Sequence, residues 1–240
     1  MQALTLENVA VSYGPVKALD QTTFALEKGV LCGLIGVNGS GKSTLFKALV
    51  RQQALDSGTI RILGLSVKEV RKAGYLSYMP QNEDVDWTFP ISVEEVVAMG
   101  RYRQMGFTRT LRGTDRAAIK QALARVQLED YAARQIGQLS GGQKKRVFMA
   151  RALVQEAEIY LLDEPFAGVD QTSEAMLIDV LRELRNTGKT VLISTHDLQG
   201  LSAFATEAIL LKNTVLMHGS VAEVLKPENL VLAFGLRSEK

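Results

Sequence analysis

The residues Gly36-Val37-Asn38-Gly39-Ser40-Gly41-Lys42-Ser43-Thr44 carry the strongest chemical signal in the sequence. They fit G-x-x-x-x-G-K-[ST], and they sit between a short apolar run, Val30 to Ile35, and a helical stretch from Lys42 to about Val50. Glycines let such a backbone curl until its N–H groups converge on phosphate oxygens, and the helix N-terminus adds positive potential. Lys42 is then placed to reach the β- and γ-phosphates, and the Ser43 hydroxyl to ligate Mg²⁺. The spacing predicts a nucleoside-triphosphate site. A Gly-rich strand–helix turn with a chance lysine is the plain alternative.

A second signal is Ile159-Tyr160-Leu161-Leu162-Asp163-Glu164, an apolar strand that ends in paired carboxylates. At the C-terminal end of a strand both acids can face a phosphate crevice. Asp163 is the natural magnesium partner, through water, because magnesium prefers oxygen ligands and keeps several waters. Glu164 could orient or deprotonate the attacking water. Alone, the pair would read as solvated acids; beside a lysine loop it reads as catalytic. Leu139-Ser140-Gly141-Gly142-Gln143 opens a further helix, Gly142 towards Val154, and offers a second anion site from its N–H groups. An N-cap serine with flexible glycines would look the same.

The elements that must position these groups alternate along the chain. Leu4, Leu6 and Val9 alternate with polar residues, Phe24 and Leu26 continue the pattern, and Thr59 to Leu63 follows a Ser-Gly turn, so the first third reads as strands. Val30 to Ile35 is continuously apolar, as a strand buried on both faces should be. Tyr75 to Met79 is a further strand. From Ser92 to about Ala133 the pattern is mostly helical: Ser92 and Glu95 fit a capping box, and Ala118, Ile119, Ala122, Leu123 and Val126 share one stripe. Strand and helix then alternate through Ile159–Leu162, 173–185, Thr190–Ser194, 198–205 and 207–211. This predicts an α/β fold with parallel strands, helices on both faces and a helical insertion. Residues 227–240 carry little pattern.

Composition narrows the function. The 240 residues hold 28 Lys and Arg against 26 Asp and Glu, and the resulting +2 gives no ground for a nucleic-acid partner. Cys32, the single cysteine, excludes an internal disulfide framework. No apolar run approaches the ~20 residues needed to cross a bilayer. The N-terminus has no basic flank and alternates apolar with polar residues, unlike a signal peptide, so an intracellular chain is expected. His218 shows no metal-ligand partner at useful spacing and reads as a surface residue.

The lysine loop, the Leu-Ser-Gly-Gly-Gln string and the strand ending Asp-Glu, in this order and spacing, resemble the nucleotide-binding domain of ATP-binding cassette (ABC) proteins over residues 1 to about 220. The resemblance implies a P-loop NTPase (RecA-like) core with an N-terminal antiparallel β part, spanning about 1–90 and 145–225. It also implies an inserted helical subdomain over about 91–144 and a short tail, all in one domain. ATP and Mg²⁺ are the implied ligands, held by Gly36, Asn38, Gly39, Ser40, Gly41, Lys42, Ser43 and Thr44. Tyr13 matches the aromatic that stacks on adenine, and Gln81 the glutamine that contacts magnesium and water. His196 matches the histidine on the γ-phosphate. Asp170 matches a loop acid that communicates between subunits, although Ala-Gly-Val-Asp replaces the commoner Ala-Leu-Asp. Ser140, Gly141, Gly142 and Gln143 would cap ATP bound to a second copy, so a head-to-tail homodimer with sandwiched ATP is implied.

The stretch from Pro80 to Pro90, with Val96 to Tyr102, Arg134 to Gly137 and Lys144 to Phe148, resembles the ATPase subunits of importers for manganese, zinc or iron. That implies separate membrane permease subunits, an extracytoplasmic metal-binding protein and a peripheral place on the inner membrane face. A soluble ABC ATPase of an assembly machine, such as iron–sulfur cluster biogenesis, is the alternative. Asn82 to Pro90 is expected to dock the permease through Trp87, Phe89, Asp84 and Asp86, unless its aromatics fold back into the helical insertion.

Overall fold

The computed structural model describes residues 1–82, 86–107 and 109–235. The chain runs β1 (Gln2–Tyr13), β2 (Val16–Glu27), β3 (Leu31–Ile35), α1 (Lys42–Leu49), β4 (Ser57–Ile62), β5 (Leu65–Ser66), α2 (Val67–Ala73) and β6 (Leu76–Met79). Then follow α3 (Val93–Ala98), α4 (Gly113–Arg125), α5 (Gly141–Leu153), β7 (Ile159–Asp163), α6 (Gln171–Asn186) and β8 (Thr190–Ser194). The last elements are α7 (Leu198–Leu201), β9 (Glu207–Lys212), β10 (Thr214–Ser220), α8 (Val221–Val224) and α9 (Pro227–Phe234).

These strands form two sheets. One is antiparallel, in the order β2-β1-β4-β5; the other runs β10-β9-β3-β8-β7-β6 and is parallel except for β10. The continuous apolar runs behave as buried strands should: every residue of β3, β7 and β8 is buried. Alternate side chains divide between two cores, because successive residues of a strand face opposite ways. Leu31, Ile35, Tyr160, Leu162, Val191 and Ile193 pack with the helices α3 to α6. Cys32, Leu34, Ile159, Leu161 and Leu192 pack with α1 and the first sheet. Tyr160 is 1% exposed, and that burial pushes its phenol up to about 12.

The α/β class and the antiparallel first third agree with expectation, while four details differ. The region from Ser92 to Ala133 is less helical than its pattern: α3 and α4 are separated by turns, with Gly106 and Arg109 in the left-handed region. Buried Arg101 anchors those turns instead, donating to Asp115 Oδ1 at 3.0 Å, to the Val154 carbonyl at 3.1 Å and to Glu156 at 2.9 Å. The helix after Leu198 ends at Leu201 rather than Ala205; Asp197 caps it by accepting from the N–H groups of Gln199 and Gly200. Residues 227–234 are helical after all, with Pro227 in the first turn and Gly235 left-handed at the end. His218 is not partnerless: its Nε2 lies 3.0 Å from Glu207 Oε2.

Leu192, fully buried in a strand between both cores, sets the scale of packing energy here. Leu192→Ala is expected to lose about 2–5 kcal/mol in urea unfolding. Phe107→Ala, at a side chain fully open to solvent, is expected to stay within ~0.5 kcal/mol of the parent.

Candidate active site

The phosphate loop is the turn between β3 and α1. Its shape depends on glycine at particular points. Gly41 is left-handed (φ 99°) at the N-cap of α1, and a Cβ there would stand 2.5 Å from the Ala18 carbonyl oxygen. Within the loop, the Ser40 N–H donates to Val37 O at 3.1 Å, while the Ser40 hydroxyl is buried with no hydrogen-bond partner among the described residues. Lys42 is buried and folds back, donating to the carbonyls of Gly36 (2.8 Å) and Val37 (3.2 Å). Burial pulls its ammonium below the usual lysine range, against the pull of the Glu164 and Asp163 carboxylates that favour the charge.

Those carboxylates come from the C-terminal end of β7. Ser194, at the end of the neighbouring β8, holds both: its hydroxyl donates to Asp163 Oδ1 at 2.5 Å and accepts from the Glu164 N–H at 2.9 Å. Glu164 itself is left-handed (φ 48°), a conformation that costs energy for a residue with a Cβ and recurs at functional sites. Its Oε2 accepts from Gln81 Nε2 at 2.8 Å and lies 3.7 Å from His196 Nδ1. Tyr13, Ala18, the loop from Asn38 to Thr44, Gln81 and Glu164 line a cavity of about 420 Å³. A second cavity of about 220 Å³ places Glu164 and His196 together. The structure thus gathers Tyr13, the loop, Gln81, Asp163, Glu164 and His196.

The remaining expected residues stand elsewhere and do not line that cavity. Ser140 caps α5 with a reciprocal pair: its hydroxyl accepts from the Gln143 N–H at 3.2 Å, and Gln143 Oε1 accepts from its N–H at 2.9 Å. Gly141 and Gly142 follow as the first helical residues. Asp170 caps α6 through the Ser173 N–H (2.9 Å) and hydroxyl (2.7 Å), which together hold its carboxyl below the usual carboxylate range. Asp84 lies outside the described residues. Trp87 is folded in: its ring meets Phe148 edge-on at 5.9 Å, with the Lys144 ammonium 4.3 Å from the ring centre.

Sequence reasoning passed over two residues that shape the site. Ser194 is one. The other is Asn213, left-handed (φ 60°) in the β9–β10 turn. Its N–H donates to Ser40 O at 2.8 Å, and its amide donates to Lys17 O and Ala18 O at 2.9 and 3.1 Å. An asparagine between alternating strands is a turn signal, but nothing local says that the turn reaches the phosphate loop.

Comparison with known proteins bears directly on this arrangement. Residues 19–167 match the family described as ABC transporter. The chain belongs to that family. It is 47% identical, over 97% of its length and 90% of the relative's, to the manganese transport system ATP-binding protein MntA of Synechocystis sp.. It is 43% identical, over 97% of its length and 79% of the relative's, to a protein of Yersinia pestis described as the chelated iron transport system membrane protein YfeB. Among solved structures, a metal-chelate type ABC transporter in an inward-facing conformation superposes with a TM-score of 0.85 at 29% identity, covering 98% of this chain and 90% of that one. The chain is therefore an ABC-type ATPase that binds and hydrolyses nucleotide. Among the described residues, no helix is long and apolar enough to cross a membrane.

Ser194 offers a direct check on the geometry. Ser194→Ala removes the hydroxyl donor to Asp163 Oδ1 and leaves the Glu164 N–H only the Ser194 carbonyl at 3.2 Å, and is expected to cost about 1–3 kcal/mol in urea unfolding. ATP hydrolysis by the folded variant is expected to fall more than ATP binding does, because the acids shift while the loop remains.

Proposed function

We propose that this chain is the ATP-hydrolysing subunit of an importer that carries a divalent metal ion, manganese, zinc or iron, through separate permease subunits. It would sit peripherally on the inner membrane face, with an extracytoplasmic metal-binding protein delivering the ion. The observation that carries this reading is 47% and 43% identity, over 97% of the chain, to proteins named for manganese and chelated-iron transport systems. The assembly-machine alternative is not favoured, since the same relatives are transport components.

Within the site, Glu164 is the base. Gln81 and His196 flank its Oε2, so its carboxylate is held at the mouth of the loop cavity where it can take the proton of an attacking water. Lys42 exchanges the carbonyls of Gly36 and Val37 for phosphate oxygens and neutralises them. Tyr13, half-exposed at the end of β1, supplies the face for adenine. The donor set suits Mg²⁺: Ser43 hydroxyl, Asp163 carboxylate and Gln81 amide are all hard oxygen donors, and Asp163 is already oriented by Ser194. Bound there, the ion would neutralise charge on the β- and γ-phosphates.

Two copies head to tail complete the reaction in this reading. Ser140, Gly141, Gly142 and Gln143 stand outside the cavity of their own chain, which supports their use on the ATP of another. Asp170 stands close to that string, its Oδ2 at 3.7 Å from where a Gly142 Cβ would lie, which supports a role between subunits. Glu164→Gln is expected to reduce hydrolysis by ~10²–10⁴-fold while keeping ATP binding. Gel filtration of that variant with ATP should show a dimer. Normal hydrolysis would move the base to His196, and an ATP-bound monomer would remove the sandwich.

Permease docking falls on the segment after Gln81, with a changed set of anchors. Trp87 is engaged by α5, and Asp86 is tied to its own turn by accepting from the Thr88 N–H and hydroxyl. Phe89 is 59% exposed beside an apolar cavity of about 290 Å³ shared with Ile91, Val96, Met99 and Phe148. An aromatic anchor from a permease loop fits such a cavity. Phe89→Ala with Met99→Ala is expected to leave ATP binding by the isolated subunit unchanged and to abolish co-purification with the permease. Retained association and metal uptake would place docking elsewhere.

A further inference from the structure

Outside the nucleotide site, donors of different chemical kinds converge on the other end of the same strands. Cys32 lies on β3, Glu207 opens β9 and His218 lies on β10, and these strands are neighbours in that sheet. Cys32 pairs in register with Glu207, and Ser220, two residues after His218, pairs with Glu207 from the other side. His218 Nε2 is 3.0 Å from Glu207 Oε2, and Cys32 Sγ, a Glu207 carboxylate oxygen and an imidazole nitrogen of His218 all lie within 4.8 Å of one another. The thiol is fully buried, whereas the side chains of Glu207 and His218 keep 31% and 25% of their surface. Phe24 meets the imidazole edge-on at 6.3 Å and walls one side.

We propose that Cys32, Glu207 and His218 form a binding site for a divalent transition-metal ion of the zinc type, separate from the nucleotide's magnesium. A tetrahedral ion with bonds of ~2.0–2.3 Å sets its ligands about 3.3–3.8 Å apart, so shifts of about 1 Å close the cluster. Sulfur, imidazole and a single carboxylate suit zinc, whereas magnesium takes oxygen ligands. Three protein donors, two of them partly open to solvent, leave the fourth position to water. Burial and the neighbouring Glu207 charge hold the thiol protonated well above its usual range. Binding therefore releases that proton to solvent, and the thiolate and carboxylate then balance the ion's charge. The competing reading is a small core thiol beneath a surface His–Glu pair. The inference does not depend on which ion the importer carries.

The single cysteine makes the test direct, since a thiolate-to-cobalt charge-transfer band can arise only from Cys32. The full-length reduced protein is titrated with Co²⁺ and then Zn²⁺, with nucleotide absent. The proposal expects about one Co²⁺ per chain, a near-ultraviolet thiolate band and its displacement by Zn²⁺. Cys32→Ser removes the band, and His218→Ala, at a site far less buried, weakens binding by at least ~10-fold while leaving ATP binding intact. A band that survives His218→Ala and Glu207→Gln unchanged overturns the three-donor site. So does the absence of any band from the folded parent protein.

Discussion

A Cβ on Gly36 would stand 2.2 Å from the carbonyl oxygen of Leu211 and 2.6 Å from the Ser40 hydroxyl. The rest of the site follows from that closeness. A phosphate loop works by turning its own N–H groups inward, and it can do so only if its outer side is pressed against something rigid. Here the rigid body is the end of β9. The β9–β10 turn adds Asn213, which receives the loop through Ser40 O and grips Lys17 and Ala18 of β2. Asp20 N–H and the Thr22 hydroxyl in turn donate to Asn213 O. One residue therefore joins the parallel sheet, the phosphate loop and the antiparallel sheet that carries Tyr13. The two sheets need each other at this point because neither alone encloses the cavity.

How far this was legible in the sequence depended on whether a signal was local. The loop, the strand ending Asp163-Glu164 and the cap at Ser140 are contiguous strings, and each forms the element expected of it. Burial on both faces was readable for β3, β7 and β8 because a buried strand has no reason to alternate. Asn213, Ser194 and the Cys32–Glu207–His218 cluster were not readable, since their partners lie as many as 196 residues away and are set by sheet order. Trp87 reads two ways in the sequence, as an anchor for a partner or as an aromatic folded back onto the helical insertion, and α5 supplies Phe148 and Lys144 to the second within the same chain. The turns between α3 and α4 misled because buried Arg101 fixes them with polar bonds that leave no periodic trace.

Electrostatics at the loop explain why so few groups suffice. Lys42 is desolvated, and a desolvated ammonium binds its counter-charges more strongly than an exposed one. It donates to the carbonyls of its own loop, and burial lowers its pKa against the pull of Glu164 and Asp163, which favour the charge. The same acids must not reach the lysine directly, or they would compete with phosphate. Both are held by other partners: Ser194 donates to Asp163 Oδ1 and accepts from the Glu164 N–H, and the left-handed Glu164 places its Oε2 at Gln81 Nε2 and 3.7 Å from His196.

The two candidate ion sites share β3 and differ in every other respect, and the difference follows from where each lies along the strand. Past its C-terminal end the strand gives way to a loop and helix that present hydroxyl oxygens, and Asp163 at the end of β7 and Gln81 after β6 add carboxylate and amide oxygens, so a hard cation beside phosphate is favoured there. Near its N-terminal end the strand is buried on both sides, and a thiol facing that interior persists as a neutral group unless a cation draws off its proton. Glu207 lies at the edge of that interior and His218 next to it, so charge can enter only where an ion would also enter. The sites lie at opposite ends of one strand, since β9 carries Glu207 at one end and leads at the other into the Asn213 turn, whose N–H donates to Ser40 O.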